Sequence, residues 1–176
     1  MTHVKLLRVL PRVVGGAAAL LLVAATAAGA TAPSRARGAG ELRDLQPASA
    51  QPTDGATAQV VATESNGTTT VTLKVQGLDH AFAGMELGAH IHAGSCVEGN
   101  GAAAGPHYNS TGGAVISDQT EVWLDFTIQP NGTGSSSTTV PFTIPPGGAG
   151  ALVIHAQHTN PNGTAGARWA CLPVSF

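Results

Sequence analysis

The chain has 176 residues, 43% hydrophobic, 4% aromatic and 10% charged, with a formal net charge of −2 at pH 7 when His is counted neutral. Residues 54–176 carry eight acids against two bases, Lys74 and Arg168, a formal −6. That balance offers phosphate no basic surface and excludes nucleic acid as a partner.

In chain order, Lys5, Arg8 and Arg12 form a basic start. An apolar stretch follows from Val13 to about Ala30 and closes on Ala28-Gly29-Ala30 and Ala30-Thr31-Ala32. This is the pattern of a secretory signal peptide, residues 1–32. The run is marginal for a bilayer span, so contact with a membrane would come only through an uncleaved N-terminus. The expectation is an exported chain, secreted or on the periplasmic or cell-wall side. Residues 33–53, with Pro33, Pro47, Pro52, Gly38 and Gly40 and no apolar period, read as a flexible tether. Residues 54–176 remain as one domain.

Strand signals dominate that domain. Ala58–Ala62, Thr68–Val75, Glu86–His92, Val122–Ile128, Thr138–Ile144, Ala151–His155 and Trp169–Phe176 are short runs rich in Val, Thr, Ile and Leu. Turn chemistry separates several of them, as in Asn66-Gly67, Asn131-Gly132, Pro146-Gly147 and Asn162-Gly163. Thr68–Val75 alternates Val71, Leu73 and Val75 with Thr70, Thr72 and Lys74, the period of a half-buried strand. The pattern predicts an all-β antiparallel sandwich or barrel. A long Gly/Ala/Ser/Asn loop spans about 93–121, and such loops in compact domains are functional or disordered. The two cysteines, Cys96 and Cys171, imply one disulfide in an exported chain. It would pin this loop to the last strand, and closing so large a loop stabilises by roughly 4 kcal/mol.

Seven histidines occur. His3 belongs to the leader, His80 sits in a polar turn, and His158 reads as an exposed loop residue. His90-Ile91-His92 places two imidazoles on one side of a strand. His107 follows in a loop, and His155 ends the run Ala151–Ile154. Each alone is weak evidence. Together they offer a four-imidazole site without sulfur, suited to copper, zinc, nickel or iron.

The order of these motifs resembles the copper/zinc superoxide dismutase family. Gly88-Ala89-His90-Ile91-His92 is similar to its G-x-H-x-H copper motif, with Cys96 soon after. Gly105-Pro106-His107-Tyr108-Asn109 is similar to G-P-H-[FY]-N, and Val153-Ile154-His155-Ala156 to V-[VI]-H-x. Ala165-Gly166-Ala167-Arg168-Trp169-Ala170-Cys171 resembles A-G-x-R-x-A-C. The likeness runs from about residue 57 to the C-terminus. It implies an immunoglobulin-like Greek-key β-sandwich or barrel with long metal-site loops. It also implies one copper ion held by His90, His92, His107 and His155, with Cys96 and Cys171 as the loop disulfide. Arg168 and His107 are the implied catalytic residues and superoxide the implied substrate.

The chain also departs from the family. In its two-metal members the histidine matching His107 bridges copper to zinc, and two further His and an Asp complete the zinc site. Residues 109–128 contain no His, so zinc is not expected, and the likeness is to the copper-only branch. Asp125 is the expected acceptor for His107, fixing its tautomer, against a reading as a water-facing carboxylate; Glu121 is the fallback. The predicted activity is copper-dependent superoxide dismutation, with a homodimer as an admissible assembly. Two alternatives stand beside it. One is a copper-binding or copper-carrier protein of the same fold with little dismutase activity. The other is a non-catalytic sandwich with relic histidines.

Overall fold

A computed structural model describes residues 1–2 and 34–176. The expected leader, 1–32, lies outside the described residues beyond its first two positions. The strands are β1 (Ser34–Glu41), β2 (Arg43–Asp44), β3 (Thr57–Ser65), β4 (Thr68–Gln76), β5 (Glu86–Leu87), β6 (Ala89–His92), β7 (Phe126–Thr127), β8 (Thr133–Val140), β9 (Ala151–His155) and β10 (Arg168–Pro173). They form two four-stranded sheets, β1-β3-β4-β8 and β2-β10-β9-β6, and a small β5-β7 ribbon. Every ladder is antiparallel. This is the antiparallel sandwich that the sequence predicts.

Alternation builds the core. Along β4, Val71, Leu73 and Val75 are buried while Thr70 and Lys74 face water, and Val60 and Ala62 of β3 sit beside them. Across the sandwich they meet Ala89, Ile91, Leu152, Ile154, Ala170 and Leu172. All five residues of β9 are buried, so its second face is covered too. There Ala151 and Val153 join Leu45, Cys96, Ala104 and Cys171 in a smaller cluster. The Cys96–Cys171 disulfide, with Cα atoms 5.6 Å apart, ties the loop after β6 to β10 within that cluster. Sheet β2-β10-β9-β6 therefore has one face in the sandwich and the other under the loops.

Several expectations are corrected. The stretch 33–53 is no tether from Ser34 onward. β1 pairs with β3 from Ser34↔Glu64 to Glu41↔Thr57, β2 pairs with β10, and Leu42, Leu45 and Thr53 are buried. One of the small residues that mimic a linker is required by close packing: a Cβ at Gly38 would lie 2.4 Å from the Pro173 carbonyl oxygen and 2.9 Å from Val174. Second, Glu86–His92 is not one strand. It divides at Gly88, whose missing Cβ admits the Gln157 carbonyl, and its halves pair with different partners. Third, Val122–Ile128 forms a ladder only at Phe126–Thr127, and the strand expected at 138–144 runs Thr133–Val140, ending before Pro141, which cannot donate to a ladder.

The packing at Gly38 separates strand from tether experimentally. Gly38→Val overpacks the edge by about 1–3 kcal/mol, a drop in Tm of roughly 3–10 °C. A thermal melt with Tm unchanged would restore the linker reading.

Candidate metal centre

His90 and His92 alternate with the core residues Ala89 and Ile91, so both point out of the sandwich under the loops. They stand in register with Val153 and Ala151 of β9. His155 continues that same face of β9. His107 comes from the loop, where a single bridge pairs it with His92. Opposite His155 the β9-β10 register slips between Arg168 and Ala170. Such a bulge re-aims side chains, and here it sets Arg168, in place of Trp169, beside His155.

The four rings converge. Centroids are 4.0 Å apart for His90–His107, 4.7 Å for His92–His107 and 4.8 Å for His90–His155. One nitrogen from each ring lies within 4.8 Å of all the others. Nitrogens about 2 Å from a common ion span about 4 Å, so the set closes on a metal with small adjustments.

The protons point the same way. His92 Nδ1 donates to the Gly105 carbonyl at 3.1 Å and His155 Nδ1 to the Gly166 carbonyl at 3.3 Å. Both Nε2 atoms are then bare lone pairs, and they face each other at 3.3 Å. Two acceptors at that distance repel unless a cation lies between them. His90 Nδ1 is, among the described residues, the buried side-chain polar atom with no hydrogen-bond partner. A cation is the partner that all three atoms lack.

His107 is the ring nearest solvent, its side chain 16% exposed. Its Nδ1 donates to Glu121 Oε2 at 2.8 Å. Glu121 is 4% exposed and also accepts from Trp123 Nε1 at 2.9 Å and Asn109 Nδ2 at 3.1 Å. Burial alone would raise its pKa; the hydrogen bonds from His107, Trp123 and Asn109 outweigh that and lower it. So the fallback residue, not Asp125, partners His107. Asp125 lies four residues further along the same run, roughly 13 Å in extended chain. Its carboxylate instead accepts from Ala89 N at 3.2 Å, Thr159 N at 2.8 Å and Thr159 Oγ1 at 2.7 Å.

Arg168 donates through Nη1 to the Gly101 carbonyl and through Nη2 to the Gly105 carbonyl, at 2.6 and 2.7 Å. The Gly105 oxygen thus holds both the guanidinium and His92, and φ of +65° at Gly105 makes that turn. Arg168 lines an open cavity of about 510 Å³ with His107, Asn109, Ile116, Asn162 and Thr164. Among the described residues it is the only Lys or Arg along that wall. His158 lies outside the ring cluster with its side chain 59% exposed, 3.5 Å from Asp125 Oδ2. His80 is exposed in a short turn. Thr159 and Trp123 carry no motif that would have marked them in the sequence, and the motif that holds Gly105 does not mark its carbonyl as the shared acceptor.

The geometry defines the class: a β-sandwich protein with an all-imidazole metal-binding centre on the outer face of one sheet, beside a cavity with a single guanidinium. The family model for copper/zinc superoxide dismutase (SODC) matches residues 55–172, and the chain belongs to that family. No curated protein sequence matches it closely enough to count as a relative.

Burial holds His90 and His92 far below the usual histidine range and lowers His155 to about 4, so all three are neutral at pH 7. Above pH 6.5 neither the folded nor the unfolded metal-free chain protonates these rings. Below it the unfolded chain takes up protons that the folded chain refuses, so stability falls as pH drops from about 6.5 towards 4. Each such ring steepens the fall by about 1.4 kcal/mol per pH unit. Urea midpoints of the metal-free protein between about pH 7 and 5 check this, and a midpoint independent of pH contradicts it.

Proposed function

We propose that the chain is an exported, copper-dependent superoxide dismutase of the single-metal kind. The observation that carries this reading is the set of four imidazole nitrogens within 4.8 Å of one another, three of them shown above to lack a proton or partner. Such a set favours Cu(II) over the other divalent first-row ions and presents no sulfur to be oxidised. Copper held there supplies the one-electron Cu(II)/Cu(I) couple. Across a full cycle one superoxide becomes oxygen, and a second, with two protons, becomes hydrogen peroxide.

The chain's own residues do the rest. His90, His92 and His155 enter neutral and buried, their orientation fixed from outside the cluster by Thr159, Gly105 and Gly166. His107 lines the cavity, and the Glu121 carboxylate holds the ring through its Nδ1. Arg168 supplies a permanent positive charge on the cavity wall. The small anionic substrate needs it, since the rest of the domain repels it. The engagement of His107 Nδ1 by Glu121 favours a zinc-free site. In the two-metal members of the family the matching histidine bridges to zinc, whereas here a carboxylate accepts a hydrogen bond from Nδ1 and fixes the tautomer. Export is read from residues 1–32 and suits a disulfide-bonded domain.

Purified protein loaded with copper alone should hold one copper per chain and dismute superoxide, with no gain on adding zinc. Arg168→Ala should lower kcat/KM by roughly tenfold and flatten its ionic-strength dependence, and Arg168→Lys should recover the salt dependence. A copper-loaded protein without turnover would leave the carrier reading, and no copper after loading would favour relic histidines. A rate and salt slope unchanged in Arg168→Ala would remove the steering role.

A further inference from the structure

His90 and His92 stand two residues apart on one strand, about 6.5 Å along its axis, and their ring centroids are 6.3 Å apart. The outside partner of each ring shows which nitrogen it turns to the cluster. His92, His107 and His155 all have Nδ1 on an outside acceptor, namely the Gly105 carbonyl, Glu121 and the Gly166 carbonyl. His90 is the reversed member: its Nε2 is engaged, 2.7 Å from Thr159 Oγ1, and its Nδ1 is buried without a partner.

The direction of the His90–Thr159 hydrogen bond is settled by what lies behind it. Thr159 is 5% exposed. Its hydroxyl is 2.7 Å from Asp125 Oδ1, and its amide is 2.8 Å from Asp125 Oδ2. An ionised carboxylate can only accept, so the hydroxyl hydrogen goes to Asp125, and the oxygen lone pairs turn to His90. His90 Nε2 must then be the donor, since Asp125 itself, 3.8 Å away, is beyond hydrogen-bond reach. Asp125 is in turn held by the Ala89 amide, the residue before His90.

We propose that Thr159, oriented by Asp125, is a positioning residue that locks His90 in the Nε2–H tautomer and so leaves Nδ1 as its metal-binding nitrogen. The relay distinguishes the two histidines of the H-x-H strand: a hydroxyl from the loop after β9 holds His90 by Nε2, whereas the Gly105 carbonyl holds His92 by Nδ1. The role towards copper rests on the dismutase reading above, whereas the tautomer itself does not.

The test begins on the metal-free protein at about pH 7, with long-range ¹H–¹⁵N correlation spectra of the imidazoles. Wild type and Thr159→Ser should show His90 protonated on Nε2, with that proton protected from exchange. Thr159→Val, nearly isosteric, should lose the protected Nε2 proton and populate the Nδ1–H form. On loading with copper, Thr159→Val should bind roughly 10–100-fold more weakly and shift the Cu(II) electron paramagnetic resonance parameters, and Thr159→Ser should restore both. His90 protonated on Nδ1 in the wild type would overturn the proposal. So would a Thr159→Val protein with wild-type imidazole spectrum and copper affinity. If Thr159 controls the tautomer and the copper signature but the loaded protein has no turnover, the positioning role stands and the dismutase reading alone fails.

Discussion

Two bare imidazole nitrogens, Nε2 of His92 and of His155, face each other at 3.3 Å in the interior, and the site is built around that contact. Neither ring can relieve the repulsion by protonation, because burial removes the charged form from neutral pH. Neither can turn away, because its other nitrogen is fixed to a backbone carbonyl. His90 Nδ1 adds a third lone pair without a partner. The folded chain therefore keeps an unsatisfied demand for a cation. Buried polar groups are otherwise paired almost without exception, so the cost of this arrangement is understandable only if binding repays it.

The sandwich makes the arrangement affordable to hold. Two of the four rings sit on β6 and a third ends β9, strands whose opposite faces are packed into the main core. Only His107 comes from a loop, and that loop is secured twice. The disulfide anchors its start to β10, and Glu121 accepts the His107 Nδ1 hydrogen bond near its end. The single guanidinium of the cavity hangs from the same loop through the carbonyls of Gly101 and Gly105. Rigid strands set the ligand positions, while the looser segment carries the ring and the charge that face the cavity.

What could be read from the chain depended on how local each signal was. The alternation of Val71, Leu73 and Val75 is a property of one strand, and β4 forms where it predicts. The histidine motifs are local too, and their order carries the family resemblance that the family match over 55–172 supports. Failures came where tertiary contact decides. Ser34–Glu41 has the composition of a linker, yet Gly38 is what lets it lie against the chain at Pro173 and Val174. Asp125 and Glu121 occupy the same run, and no sequence rule says which one His107 reaches; the bridge between Asn109 and Glu121 decides it. Thr159 lies 69 residues from His90 in the chain, and a threonine in a polar loop carries no mark of the ligand it orients.

The central claim is that these four imidazoles converge on one copper ion, and pulsed electron paramagnetic resonance with X-ray absorption on the Cu(II)-loaded protein reads that most directly. The account predicts four nitrogen donors, all from histidine, with no sulfur or carboxylate bound and a single copper environment. Fewer than three imidazoles on the metal, or a sulfur or carboxylate donor, would contradict it.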